Sequence, residues 1–361
     1  MGQPAIAIPV QRMPVPEQEP AIRDFSQPWL DLNDKTVLVT GGTGSFGKHF
    51  LKTVVERYKP KRLIIFSRDE LKQFEMSQVY STEQYPFMRY FIGDVRDRDR
   101  LDLALRDVDY VVHAAALKQV PTAEYNPFEC IRTNVFGAEN VVYAALRRNV
   151  RKVIALSTDK AANPINLYGA SKLAADKIFI AGNNLAGSLP TRFSVVRYGN
   201  VLGSRGSVVP FFRKLLAEGQ RELPITDPRM TRFWITLSQG VNLVLSSLTQ
   251  MRGGEIFVPK IPSMRVTDLA EAMAAGVKMK NIGIRPGEKL HESLITVDEA
   301  RNTYDLDDRY VVAPSFRFWS AEELPPNAQP IKDQAFSYDS DTNAEWLGHA
   351  DIAALIGDKP L

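Results

Sequence analysis

Tyr168 and Lys172 stand four residues apart in the run "LYGASK", a spacing that places both side chains on one face of a helix. A phenol beside a cation can release and recover a proton, which is the chemistry of alcohol oxidation and carbonyl reduction. A second ionisable pair, Asp159-Lys160, follows Thr158 and the apolar run "KVIALS". A tyrosine with its cation suffices for proton movement at one alcohol, so the extra pair implies chemistry beyond simple oxidation.

Such residues need a frame, and the sequence supplies one from Lys35 onward. Apolar runs "TVLVTG", "RLIIFS", "MRYFIG", "YVVHAA", "KVIALS" and "RFSVVRYG" alternate with longer amphipathic stretches. Continuous apolar strands joined by helices predict an α/β fold, a doubly wound parallel sheet of Rossmann type. The pattern divides the chain into an irregular arm over 1–34, a nucleotide-binding domain over 35–199, a mainly substrate-binding part over 200–300 and a tail over 301–361. The third part breaks into shorter elements at "GSRGS", "TDPR" and "RPGE" and is expected to cap the carboxyl edge of the sheet. The arm is rich in proline and is expected to pack partly through Phe25, Trp29 and Leu30. The tail is expected to pack on the core and to end in a helix at "DIAALIG".

Composition narrows the classes. Among 361 residues, Lys+Arg count 45 against Asp+Glu 42, a net +3 without any block of like charge, so neither nucleic acid nor an anionic membrane surface is indicated as a partner. No apolar run approaches the roughly 20 residues that span a bilayer. Cys130 is the sole cysteine. It excludes an intrachain disulfide and a multi-cysteine zinc site, and it suits a reducing, cytoplasmic setting. His113 reads as a packed strand residue, His291 and His349 as structural or solvated ones, and no metal-ligand cluster is apparent.

The run "VLVTGGTGSFGKHF" sets Gly41, Gly44 and Gly47 between the first strand and the first helix, with Thr43, Ser45 and Phe46 among them. Glycines there let the backbone turn tightly and approach a diphosphate, whose charge the helix N-terminus favours. At the end of the second strand Ser67 and Arg68 stand where an NAD site often has an acid, so Arg68 favours NADP by meeting its 2′-phosphate. Lys72 offers a second cation, while Asp69 could accept from a ribose or cap the helix that follows. Asp94 and Val95 in "GDVRD" are placed for the adenine, and Ala114, Ala115 and Ala116 give a small-residue passage beyond the fourth strand.

Taken together, "TGGTGSFG", "SRDELKQFEM", "HAAALKQVPTAEYNPFECI", "STDKAANPINLYGASK", "RYGNVLGSRGSVVPFF" and "ITDPRMTRFWI" resemble the extended short-chain dehydrogenase/reductase family. Within it the chain is similar to the inverting UDP-N-acetylglucosamine 4,6-dehydratases of pseudaminic acid biosynthesis. The resemblance runs from about Lys35 to Asn343. It implies tightly held NADP, UDP-N-acetylglucosamine as substrate, a 4-keto-6-deoxy product inverted at C5, and a homo-oligomer such as a hexamer. The family's tyrosine and lysine match Tyr168 and Lys172, and its aspartate-lysine pair matches Asp159 and Lys160, with Thr158 before them. Retaining dehydratases are expected to carry aspartate-glutamate at that pair. Lys118, Asn200, Arg232, Arg285 and Glu288 match positions near the UDP-sugar.

The resemblance implies a division of labour. Tyr168 as phenolate takes the C4 hydroxyl proton, helped by Lys172, and Asp159 donates to the departing C6 hydroxyl. Lys160 takes the C5 proton as a neutral amine, its pKa lowered by a desolvated pocket. A retaining dehydratase, a C4 epimerase and a non-catalytic NADP-binding scaffold are the competing readings.

Overall fold

The computed structural model describes residues 23–26, 28–204, 206–316, 319 and 324–357. The arm expected over 1–34 lies largely outside the described residues. Its inner end does pack, for Phe25 is buried and Trp29 and Leu30 lie against the core.

All six strands expected between Lys35 and Gly199 form: β1 (Thr36–Thr40), β2 (Arg62–Ser67), β3 (Met88–Ile92), β4 (Tyr110–His113), β5 (Lys152–Thr158) and β6 (Arg192–Tyr198). They pair in parallel in the order β3-β2-β1-β4-β5-β6. Their near-continuous apolar runs fit a sheet covered by helices on both faces. The crossover after β1 is the helix Ser45–Arg57, and the one after β5 leads into the helix Leu167–Ala186.

Beyond β6 come β7 (Asn200–Val201), β8 (Glu222–Ile225) and β9 (Thr231–Ile235), and then β10 (Ile256–Pro259) returns to the main sheet, parallel to β6. This differs from the expected segmentation, which gave 200–300 mainly to the cap. All four β10 residues are buried, so a short apolar run among turn signals proves to be sheet core. Next, β11 (Ser263–Arg265) pairs with β9 and β12 (Lys278–Asn281) pairs with β8, while β9 pairs with β7. The helices Val208–Ala217, Val266–Met273 and His349–Ile356 pack with these strands over two small apolar clusters, and this is the cap.

The expected tail extends the sheet. After β13 (Ser293–Ile295), strands β14 (Thr303–Asp305), β15 (Arg309–Val312) and β16 (Gln329–Pro330) add antiparallel pairings beside β10, giving a sheet of ten strands among the described residues. Finally β17 (Tyr338–Asp339) pairs with β13.

The helix Leu167–Ala186 starts where Asn166 accepts from Gly169 N at 2.8 Å. Tyr168, Lys172 and Asp176 follow at helical spacing and are all buried. A methyl group on Gly169 would stand 2.1 Å from the Lys160 carbonyl oxygen. Glycine therefore lets this helix press against the turn that carries Asp159 and Lys160. Gly169→Ala should force the two apart, lowering stability by about 1–3 kcal/mol, the usual cost of overpacking. A chemical-denaturation midpoint equal to that of the unsubstituted protein would show that the contact is soft.

Candidate active site

The carboxyl ends of β1, β2, β4, β5 and β6 open onto a cleft of about 750 Å³. One end is built from small residues and backbone. Gly41 sits at φ +64°, and a Cβ there would lie 2.8 Å from Ala115 N; one on Gly47 would lie 2.3 Å from the Gly42 carbonyl oxygen. These close approaches bring the N-terminus of the helix Ser45–Arg57 to the cleft, with Gly44 as its cap residue and no acid in its first turn. That end of a helix favours an anion. The Thr40 hydroxyl accepts from Ala114 N and Ala115 N, each at 3.2 Å, and pairs with His113 Nδ1 at 2.8 Å. His113 is a packed strand residue, and burial holds its imidazole neutral by pushing its pKa down to about 3.

Gly41, Thr43, Gly44, Ser45, Phe46, Gly47, Ser67, Arg68, Asp94, Val95 and Ala114, Ala115 and Ala116 all line this end. Hydroxyls of Thr43 and Ser67 bond at 2.8 Å, and Gln73 Nε2 ties the Ser67 and Phe91 carbonyls together at 2.8 and 3.0 Å. Arg68 is more than half exposed, with Nη1 3.7 Å from Asp94 Oδ2. Burial opposes ionisation of Asp94, but hydrogen bonds from Arg96 outweigh it and hold the carboxyl below its usual range. Lys72 is absent from the lining: its ammonium pairs with Asp69, which also caps the helix Glu70–Val79 by accepting from Lys72 N at 3.0 Å. Asp69 thus takes the capping role.

At the other end Thr158, Lys160, Tyr168 and Lys172 line the cleft together, with Tyr198 beside them. Burial pushes the Tyr168 phenol up to about 12, and the groups that favour its anion are Lys160 and a hydrogen bond with Thr158. The expected helper was Lys172. Instead, burial lowers the Lys172 ammonium, and Asp176 one turn on is the anion that answers it. Asp176 accepts from the Ser157 hydroxyl at 2.7 Å and lies 3.6 Å from the buried Arg197, which pairs with Glu299 at 2.9 Å. Asn134, in a π-helical turn at Arg132–Phe136, ties Leu117 of the loop 114–119 to this helix. It accepts from Leu117 N and donates to Leu117 O and Ser171 Oγ, all within 2.9 Å.

Lys160 departs from expectation. Burial alone would lower its ammonium, but Asp159 Oδ1 at 3.1 Å and Glu292 Oε1 at 3.0 Å outweigh burial and raise it. The resting lysine is therefore charged, not the neutral amine that the sequence suggested. Asp159 is fully buried behind the lining, where Oδ1 accepts from the Thr158 hydroxyl at 2.8 Å and Oδ2 has no hydrogen-bond partner. Glu292 escaped the sequence reading. It follows Glu288 in "GEKLHES" without any telling spacing, and only the tertiary fold brings it to Lys160.

Of the residues matched to substrate contacts, Lys118, Asn200 and Glu288 line the cleft, while Arg232 and Arg285 do not. Arg232 is buried, and its guanidinium donates to the carbonyls of Thr231, Lys289 and Leu290 at 2.7 to 2.9 Å. It fastens the segment before Glu292 to β9. Arg285 is half exposed, 3.9 Å from Glu288. His291 bonds the Thr231 hydroxyl at 2.8 Å, and His349 opens the last helix near Asp268. Among the described residues there is no group of three or more metal-ligating side chains and no helix long and apolar enough to cross a membrane.

Residues 37–314 match the sequence profile of the polysaccharide biosynthesis protein family. The chain is 58% identical over 330 residues to the UDP-N-acetylglucosamine 4,6-dehydratase (inverting) of Campylobacter jejuni subsp. jejuni serotype O:2, covering 90% of this chain and 98% of that protein. It is 46% identical over 284 residues to a UDP-glucose 4-epimerase of Rickettsia canadensis, covering 77% and 82%. The solved structure of Pen from Bacillus thuringiensis superposes with a TM-score of 0.83 at 38% identity, covering 91% and 98%.

Proposed function

The chain belongs to the polysaccharide biosynthesis protein family and has the fold of the short-chain dehydrogenase/reductases, and from that premise we propose that it is a UDP-N-acetylglucosamine 4,6-dehydratase that inverts C5. Its product would be UDP-2-acetamido-2,6-dideoxy-β-L-arabino-hexos-4-ulose, the opening intermediate of pseudaminic acid-type nucleotide sugars. The observation that carries the reading is Lys160, an ammonium on the cleft wall beside Tyr168 where a retaining enzyme is expected to have a second carboxylate. The reading places the enzyme in the cytoplasm as a homo-oligomer, with a hexamer as its expected form.

The residues fit NADP. Gly41 and Gly47 let the backbone close on Ala115 and Gly42, which brings a helix N-terminus suited to a diphosphate to the cleft; Arg68, more than half exposed beside Asp94, suits a 2′-phosphate, and Asp94 with Val95 suits the adenine. When bound, NADP would supply the hydride chemistry that links C4 and C6. Lys118, Asn200 and Glu288 are then the candidates to hold the UDP-sugar.

Tyr168 accepts the C4 hydroxyl proton. In the resting site burial keeps it a phenol, so it first gives that proton to solvent as the site gains positive charge, and solvent returns one at C5 at the end of the turnover. The Lys160 ammonium passes a proton to Asp159 Oδ1, 3.1 Å away: an N–H bond breaks, an O–H bond forms, and the lysine becomes an amine. That amine takes the C5 proton, acidified by the C4 ketone. Asp159 gives its new proton through the Thr158 hydroxyl to the C6 oxygen, which leaves as water. Lys160 is an ammonium again and Asp159 a carboxylate. A proton reaching C5 from the opposite face completes the inversion.

UDP-N-acetylglucosamine carrying deuterium at C4 tests the reaction. The expected product has lost one water and carries the deuterium at C6; a product that keeps its C6 hydroxyl would assign the chain to epimerisation. An inert mixture under conditions where NADP binds would favour the scaffold reading. Tyr168→Phe should lower turnover by about 10² to 10⁴, the range for loss of a general acid-base group, with nucleotide binding retained. Turnover within a few-fold of the unsubstituted enzyme would remove Tyr168 from the proton path. Arg68→Ala should narrow the preference for NADP over NAD in a binding assay, and an unaltered affinity ratio would place phosphate recognition elsewhere.

A further inference from the structure

Glu292 is 2% exposed and bonds to nothing that the reaction above uses except Lys160. Three cations surround it: Lys160 Nζ at 3.0 Å and Arg232 Nε at 3.9 Å from Oε1, and Lys289 Nζ at 3.9 Å from Oε2. Its backbone is pinned as well. Glu292 N donates to Ser340 Oγ at 2.9 Å, Ser340 N donates to Glu292 O at 2.8 Å, and Arg232 holds the two carbonyls of Lys289 and Leu290 just before it. Lys289 is tied in turn to the Ala162 carbonyl at 2.7 Å, close to the Asp159 turn.

Asp159 differs in its surroundings. Among the described residues its ion pair is with Lys160, Lys289 acts on it from farther off, and its Oδ2 is buried without a hydrogen bond. Glu292 Oε2 lacks a hydrogen bond too, but the Lys289 ammonium faces it. Glu292 is thus held on three sides and away from the cleft wall, whereas Asp159 reaches the cleft through the Thr158 hydroxyl, which lines it.

Resting on the dehydratase reading, we propose that Glu292 is the positioning residue of this site: its fixed negative charge holds Lys160 Nζ at the cleft wall and leaves Asp159 as the carboxylate that takes and returns the proton. The charged and titratable groups facing Lys160 are Asp159 on its own turn, Glu292 and Lys289 on the segment before β13, Arg232 on β9 and Tyr168 on the helix Leu167–Ala186. Of these, Asp159 and Glu292 are the anions in contact with it. With Glu292 neutralised, Lys160 keeps one anion and still faces Arg232 and Lys289, so it should give up its proton more easily.

The test is a titration that needs no turnover. Lysines of the full-length protein are dimethylated with ¹³C-formaldehyde, and the Lys160 signal, assigned by its loss in Lys160→Arg, is followed against pH. In Glu292→Gln its midpoint should fall by about one pH unit or more, and in Glu292→Asp, which keeps the charge, it should stay closer to the parent value. The alkaline limb of the turnover profile, where the proton shared by Lys160 and Asp159 is lost, should move down with it. A Lys160 midpoint unmoved by Glu292→Gln overturns the proposal, as does a uniform loss of rate with no displacement of the pH profile. Should Glu292→Gln fail to fold, a midpoint in Glu292→Asp above the parent value overturns it. Because the titration reads charge on the free enzyme, it stands even if UDP-N-acetylglucosamine is not converted.

Discussion

A lysine ammonium held at the cleft wall between two buried carboxylates is the constraint around which this site is arranged. Taking charges out of water is costly, and removing one member of such a cluster strands the others, typically at about 3–5 kcal/mol. The surrounding structure is arranged to keep all of them in place. Gly169 lets the helix of Tyr168 and Lys172 close on the Lys160 carbonyl. Arg232 fastens the segment that delivers Glu292. The Thr158 hydroxyl occupies the other lone pairs of Asp159 Oδ1. Strand β5 ends at this cluster, so the sheet that orients the nucleotide end also fixes the proton-handling end.

The same cluster bears on the competing readings. A C4 epimerase needs Tyr168 and its cation, and the proposed reading gives the charged lysine beside them the added task of handling the C5 proton. A binding scaffold has no reason to bury Asp159, Glu292 and Lys160 in mutual contact. A relative described as an epimerase shares 46% identity with this chain, so overall likeness does not decide between the activities. On the proposed reading, position 160 is the place where they would part.

Much of this was legible in the sequence because it depended on local spacing. The glycine turn, the strand periodicity, and the Tyr168-Lys172 and Asp159-Lys160 pairs are each encoded within a few residues, and all of them lie where their patterns imply. What was not legible depended on tertiary contacts. Glu292 has no motif of its own, and its meaning comes from the Arg232 and Ser340 contacts that carry it across the fold. The sequence reading weighed desolvation of Lys160 but not the two carboxylates that oppose it, Asp159 beside it and Glu292 brought from across the fold. Arg232 was matched to a ligand contact, but its guanidinium is spent on backbone carbonyls. Strand β10 looked like part of the cap because four apolar residues between turns carry too little periodicity to place them in the main sheet.

The central claim is that a lysine at position 160 makes this an inverting dehydratase, and the C5 configuration of the product reports on it most directly. UDP-N-acetylglucosamine converted in heavy water and read by NMR should give the L-arabino 4-keto-6-deoxy sugar with solvent deuterium at C5. A D-configured 4-keto-6-deoxy product would contradict the account.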